Sequence, residues 1–381
     1  MSFQLTEEQK MVRLLARDFA RKELEPAAAQ RDKEEIFPMD VVKKMGELGM
    51  LGMMVPVEYG GAGAGAVSYC LALQEIAYSC ASTAVTMSVA NLSTEPLLKF
   101  GDETQKSKYL IKLAEGELLG CFALTEPGAG SDPGSLSITA EDKGDYYLIN
   151  GTKIFITHGQ YADVVNLIAR TSPEKGSKGL SAFIVEKGTP GFSVGSKEDK
   201  MGLRASNTVE LLFNDCRVPK ENLLGKPGAG FKIAMVALDS GRIGIASQAL
   251  GITRACLDES IKYAKERKQF GKTISSFEAI QWMIADMATG IEAANWLTLS
   301  AAWRKDQGLP FTKEASMAKL FTSELANKSA YLALQIHGGY GYLKDFKVER
   351  LFRDARATTI YEGTSEIQRL VIARNLLKEH N

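Results

Sequence analysis

Histidine is nearly missing from this chain. There are three in 381 residues (His158, His337 and His380), far apart and without the spacing that presents two imidazoles on one helix face, so no histidine-based metal site is expected. Cysteine is scarce too: Cys70, Cys80, Cys121, Cys216 and Cys256 are odd in number and include no C-x-x-C pair. That argues against a disulfide framework or a zinc ribbon and for a reducing compartment. Neither sign of charge is in excess, because 46 Lys+Arg balance 46 Asp+Glu. No global field would recruit nucleic acid or an anionic membrane, and an anionic ligand has to be held locally. Long apolar runs are absent as well. The greasiest stretch, 48–57, is short and contains Pro56, so no membrane span is expected. A leader is not expected either, since Met1 runs almost directly into Thr6-Glu7-Glu8-Gln9, a capping box that opens an amphipathic helix.

What is present is ordinary globular composition, 45% hydrophobic and 24% charged, in a chain long enough for two or three domains. From Thr6 to about Gly116 the apolar periodicity is helical, broken by prolines and by the Gly/Ala stretch 60–65. Short β-rich runs then take over. Residues 146–149 and 153–157 flank Asn150-Gly151 and predict a hairpin, with further strands over 164–169, 181–185 and 208–213. Beyond Gly230 the periodicity predicts helices over 231–265, 277–306, 312–336, near Val348, and over 365–377. The expected fold is α+β: an N-terminal α-helical domain (1–120), a middle β-barrel or sandwich domain (121–230) and a C-terminal four-helix bundle (231–381).

Several segments could carry chemistry. The loop Gly61-Ala62-Gly63-Ala64-Gly65-Ala66 matches G-x-G-x-x-A but lacks a preceding strand, so it reads as an interhelix loop rather than a dinucleotide fingerprint. The run from Phe122 through Thr125, Glu126, Gly128 and Gly130 to Ser131 and Asp132 offers glycines for close backbone approach and free hydroxyls. It suits a phosphate or a heteroaromatic ring, or is an elaborate turn. Phe155-Ile156-Thr157 sets an aromatic beside a hydroxyl, as a ligand wall or as core. Arg267-Lys268-Gln269-Phe270-Gly271 is a basic turn, either a solvated corner or a phosphate contact. Gln335-Ile336-His337-Gly338-Gly339 is first a helix stop and second a place for backbone approach. Most telling is Tyr361-Glu362-Gly363-Thr364-Ser365-Glu366-Ile367-Gln368, where Ser365 and Gln368 are expected to form a capping box at a helix start suited to pyrophosphate. Glu362 sits just before it in mostly apolar surroundings, which would raise its pKa toward that of a general base, unless it is an exposed loop residue.

Together these blocks resemble the acyl-CoA dehydrogenase family of flavoproteins over essentially the whole chain. The resemblance implies FAD, a homotetramer, and dehydrogenation of an acyl-CoA thioester between its α and β carbons, with electrons passed to electron-transferring flavoprotein. It implies that Phe122, Leu124, Thr125, Gly130 and Ser131 line FAD, and that Phe155, Ile156 and Thr157 stand beside the isoalloxazine, Phe155 replacing the family's tryptophan. Arg267, Gln269 and Phe270, with Gln335, Gly338 and Gly339, would reach FAD from a neighbouring subunit. Glu278 stands where a glutamine often binds the cofactor. Thr364, Glu366 and Gln368 would hold the pyrophosphate, while Ser131, Asp239, Ser240, Arg242 and Gly363 would lie near the acyl-CoA.

Family members place the catalytic glutamate either at the Tyr-Glu-Gly position or one residue before the substrate-helix arginine. The second position is Gly241 here, so the resemblance makes Glu362 the base that removes the α-proton while the β-hydride goes to flavin N5. The polar run 88–95, where the family's pocket floor falls, suggests a short, branched or alicyclic acyl group, unless helix-cap use of Ser93 and Thr94 accounts for the polarity. Competing readings are an acyl-CoA oxidase and a flavin-free CoA-binding scaffold. The expected location is the bacterial cytoplasm, or the mitochondrial matrix if a transit peptide has been removed.

Overall fold

The computed structural model describes residues 4–379, so the sequence readings on Met1 and His380 lie outside the described residues. Thr6 Oγ1 accepts from the Gln9 N–H at 3.2 Å and the Gln9 side chain accepts from the Thr6 N–H at 3.0 Å, closing the capping box that starts α1 (Glu7–Phe19). The helical region continues through α2 (Ala28–Glu34), α3 (Met39–Glu47), α4 (Gly65–Ser79), α5 (Ala81–Phe100) and the short α6 (Glu103–Gln105) and α7 (Ile111–Glu115). Helices α4 and α5 are buried almost all round, which is why neither carries a polar face in sequence. At the start of α4 the Asp306 carboxylate accepts from the N–H groups of Ala66 and Val67 at 2.6 and 3.1 Å. The donors that a G-x-G-x-x-A loop would offer a phosphate are therefore already taken.

The strands β1 (Gly120–Ala123), β2 (Thr139–Asp142), β3 (Tyr146–Thr157), β4 (Val164–Arg170), β5 (Leu180–Glu186), β6 (Phe192–Lys197), β7 (Thr208–Pro219) and β8 (Leu223–Leu224) form one eight-stranded sheet. Its order is β6-β7-β3-β2-β4-β5-β8, with β1 alongside β4. The hairpin expected at Asn150-Gly151 does not form, because β3 runs straight through it and pairs with β7 on both sides. Gly151 (φ 143°) sits in a bulge where a Cβ would lie 2.8 Å from Ile138 Cγ1, and the Asn150 side chain bonds Asp215 instead of closing a turn. A long continuous partner outweighs a local turn preference. Strands β2 and β6 have mostly exposed side chains and gave no apolar run to read.

A two-stranded corner, β9 (Lys268–Gln269) and β10 (Lys272–Thr273), follows the 37-residue α8 (Gly230–Glu266), which at 1.5 Å per residue is about 55 Å long. Then come α9 (Glu278–Asp306), α10 (Thr312–His337), α11 (Lys347–Ala357) and α12 (Ser365–Glu379). In this C-terminal bundle α10 packs on α8, α9 and α12, and α8 also packs on α4 and α5. The architecture is α+β in the expected order, and α8 joins the N-terminal helices to the bundle. Among the described residues no helix is long and apolar enough to cross a membrane, and no cluster of His, Cys, Asp and Glu could hold a metal ion.

Candidate active site

Three elements meet at Glu362: the first third of α8, the first third of α10 and the turn before α12. Glu362 and Gly363 both have positive φ (54° and 88°), a conformation that costs a residue with a side chain about 1–3 kcal/mol and persists only when its surroundings hold it. Here Gln368 Nε2 donates to the carbonyls of Glu362 and Gly363 at 3.0 and 2.8 Å, and Lys319 Nζ donates to the Gly363 carbonyl at 2.7 Å. The turn points the Glu362 side chain at α8, where Gly241 makes room for it. A Cβ at position 241 would lie 2.4 Å from Glu362 Oε2.

Oε2 is buried without a hydrogen-bond partner. Burial pushes the Glu362 carboxyl up to about 7, against the pull of the Arg242 and Lys319 cations. Arg242 pairs with Asp239, whose other oxygen accepts from Thr312 Oγ1 at 2.5 Å, while Ser240 Oγ accepts from Lys305 Nζ at 2.6 Å. One turn along α8 from Gly241, Gly244 faces Tyr69 and Ser88, which bond each other at 3.2 Å. A turn further, Gln248 accepts from the Tyr361 hydroxyl and donates to the Ala81 carbonyl at 2.8 Å.

The capping box expected between Ser365 and Gln368 is not made. Thr364 caps α12 instead, its Oγ1 accepting from the Ile367 N–H at 3.3 Å, because the Gln368 amide is drawn back to the turn. That leaves Ser365 Oγ and Gln368 Oε1 buried and unpartnered at the helix start.

A second cluster lies in the sheet region. Lys153, wholly buried in β3, donates to the Leu124 carbonyl at 2.7 Å and to Glu126 Oε1 at 2.8 Å, and the Ile154 N–H donates to the Thr125 carbonyl at 2.9 Å. Glu126 also takes the N–H groups of Ser137 and Ile138 at 2.6 and 3.2 Å. Burial pushes the Glu126 carboxyl up, but Lys153 and the Ser137 donors outweigh it and hold it below its ordinary value; burial pulls Lys153 down to about 8. The pair ties the loop carrying Phe122, Leu124, Thr125, Gly130 and Ser131 to the strand carrying Phe155, Ile156 and Thr157. Phe155 is not core: it has φ 58° and is 59% exposed. A Cβ on Gly128 or Gly130 would meet nothing within 4 Å, so a ligand could lie directly on this backbone.

Lys153→Met would leave Glu126 buried without its cation, and is expected to lower the unfolding free energy by about 3–5 kcal/mol in urea titration. A loss below about 1 kcal/mol would show that the pair does not brace the loop.

A third cluster is a cleft of about 480 Å³ lined by Arg267, Gln269, Gly338, Gly339, Tyr263, His337 and Tyr340, among others. The Arg267 guanidinium lies over the Tyr340 ring, 5.5 Å from its centre. Phe270, at φ 53°, is 92% exposed, and Gln335 is exposed nearby. None of Glu362, Gly363 and Thr364 is among the cleft's lining residues. Glu278 is the first residue of α9, and Glu366 is exposed on α12. The structure thus brings Glu362, Gly363, Thr364, Gln368 and Arg242 together and keeps the Arg267 group apart. Sequence reasoning missed Lys319, Lys153 and Gln248. A lysine at a core-facing position, as Lys319 is between Ala315, Ala318 and Thr322 on α10, was the available signal.

Known proteins match this chain over its whole length. Residues 6–117, 121–216 and 228–377 match the N-terminal, middle and C-terminal domain models of acyl-CoA dehydrogenase. The chain is 54% identical over 380 residues to the mitochondrial short-chain specific acyl-CoA dehydrogenase of Rattus norvegicus, covering 100% of this chain and 92% of that one. Butyryl-CoA dehydrogenase from Megasphaera elsdenii superposes with a TM-score of 0.97 at 45% identity, covering 99% of this chain and 100% of that one. A chain in a structure described as electron transferring flavoprotein of Acidaminococcus fermentans gives a TM-score of 0.98 at 50% identity, covering 99% and 100%. With three domain models in order and more than half its residues shared with a full-length relative, the chain belongs to the acyl-CoA dehydrogenase family.

Proposed function

We propose that this chain desaturates a short, straight acyl-CoA between its α and β carbons, with Glu362 as the base and FAD as the resident cofactor. The observation that carries the reading is the Glu362 carboxylate: its Oε2 buried and unpartnered, facing a glycine on α8, and raised to about 7, where a general base works at neutral pH.

The residues present fit FAD. Ser365 Oγ and Gln368 Oε1 are unpartnered polar atoms at the start of a 15-residue helix, where donors and dipole favour a pyrophosphate, and Thr364 caps that start. The open backbone at Gly128 and Gly130 and the exposed Phe155 ring suit a flat heteroaromatic group, with Thr125, Ser131 and Thr157 near it on the same braced segment. Bound there, FAD supplies the acceptor for the β-hydride. The third cluster, with Arg267, Gln269 and the exposed Phe270, is set to serve the cofactor of a second copy in a homotetramer.

The work of the chain itself is to remove the α-proton and steady the charge that follows. Glu362 takes the proton. The Glu362 N–H has no acceptor among the described residues and is free for the thioester oxygen as negative charge develops on it. Arg242, held by Asp239, places a cation beside the carboxyl without neutralising it. Because the base is the ionised form and its pKa is raised, kcat/KM should climb as pH rises through about 7 and level off above it. A flat profile from pH 5.5 to 8.5 would contradict this.

Chain length is read from the space beside Gly244 and Gln248, occupied by Tyr69, Ser88 and Tyr361. The polarity of 88–95 supports no branched or alicyclic preference, since its groups are spent inside the fold. Ser93 and Thr94 hydroxyls bond the Ala90 and Asn91 carbonyls at 2.7 Å each, Asn91 holds the Met50 carbonyl at 2.8 Å, and Glu95 pairs with Lys305 at 2.9 Å. A panel of straight, branched and alicyclic acyl-CoA esters with an artificial electron acceptor tests this. Butyryl-CoA should give the highest kcat/KM, and a preference for octanoyl-CoA would overturn it. Electron-transferring flavoprotein is the proposed acceptor, supported by the fold shared with the Acidaminococcus fermentans chain.

A further inference from the structure

Lys319 lies in the first third of α10, and its side chain is wholly shut off from solvent. A buried ammonium is costly, and an apolar residue would fill this place more cheaply, so its retention calls for a physical reason. Lys319 Nζ is spent on the Gly363 carbonyl at 2.7 Å, and among the described residues it forms no ion pair. The same carbonyl already has a neutral donor, Gln368 Nε2 at 2.8 Å. What Lys319 adds to that turn is a charge.

We propose that Lys319 is a positioning residue for the base: its ammonium clamps the positive-φ turn and, buried beside Glu362, keeps that carboxyl in its ionised form. The inference rests on the reading of Glu362 given above. The charged and titratable groups around the pair are Arg242 and its partner Asp239 on α8, Glu324 on α10, Glu366 on α12, Tyr69 on α4, and Tyr361 next in the chain. Arg242 has a carboxylate of its own in Asp239, whereas the largest opposite charge acting on Lys319 is Glu362 itself. Burial pulls Lys319 down to about 7 against that attraction, so the two groups titrate over one pH range and each sets the other's state.

The test uses the flavin-loaded full chain with Lys319→Met, and with Lys319→Gln, which keeps a donor for the Gly363 carbonyl and removes the charge. The readouts are the pH profile of kcat/KM on butyryl-CoA and the carboxyl titration by difference infrared spectroscopy, the Glu362 band being assigned by its loss in Glu362→Gln. Both variants should move the midpoint up by about one pH unit, a roughly fivefold loss at pH 7 that is mostly regained at pH 9, while Lys319→Arg stays within about half a unit of the parent. An unmoved midpoint in Lys319→Gln overturns the proposal, whatever happens to the rate, and that variant decides the matter if Lys319→Met does not fold. Full activity in Glu362→Gln would be a different failure, that of the base assignment.

Discussion

Glu362→Gln is expected to lower turnover on butyryl-CoA by about 10²–10⁴-fold with the protein still yellow, because the amide keeps the shape of the side chain and cannot accept the proton. The turn should survive the exchange. It is held through the carbonyls of Glu362 and Gly363 by Gln368 and Lys319, and not through the Glu362 carboxylate, whose Oε2 has no partner. Lys319 loses the largest opposite charge acting on it but keeps its bond to the Gly363 carbonyl, so the variant should still fold, with some loss of stability. Near-normal turnover in flavin-loaded Glu362→Gln would remove Glu362 from the mechanism.

Gly241→Ala should cost about as much although it replaces no ionisable group. The added Cβ would fall 2.4 Å from Glu362 Oε2 and 2.9 Å from Cδ, so the carboxylate has to swing away, and a displacement of about 1 Å in a reacting group can cost 10²-fold. Alanine is the better helix former in the interior of α8, so the loss cannot come from a broken helix. The complementary double variant, Glu362→Gly with Gly241→Glu, should recover part of the rate lost in Glu362→Gly, since a side chain from position 241 starts where the Glu362 carboxylate ends. Undiminished turnover in Gly241→Ala, or no recovery in a flavin-loaded double variant, would show that the two positions do not serve one site.

The helices were legible because their signals are local. The expected helix over 231–265 is Gly230–Glu266, and the one over 312–336 is Thr312–His337. The errors came where a distant partner decides the outcome. Asn150-Gly151 carries a turn signal, yet β7 supplies a ladder on both sides of it and the strand continues. Ser365 and Gln368 carry a capping signal, yet the Gln368 amide finds two carbonyls stranded by a left-handed turn, and Thr364 takes over the cap. At the site, Glu362 and the phosphate-type segments could be read because they lie in compact motifs. Lys319 and Lys153 could not, because their meaning comes from burial against residues 44 and 27 positions away. The polar run 88–95 left two readings open, and the structure shows its groups used within the fold. Its hydroxyls bond helix carbonyls three residues back, and its carboxylate pairs with Lys305 across 210 residues.

The central claim, that Glu362 removes the α-proton, can be measured apart from the hydride step. Flavin-loaded protein is incubated without oxygen in deuterium oxide with butyryl-CoA in excess over the enzyme and no external electron acceptor, and deuterium at the α carbon of the recovered ester is followed by NMR. The parent should wash deuterium into the α position steadily, and Glu362→Gln should do so at least about 10²-fold more slowly. Exchange by flavin-loaded Glu362→Gln at the parent's rate would contradict the account.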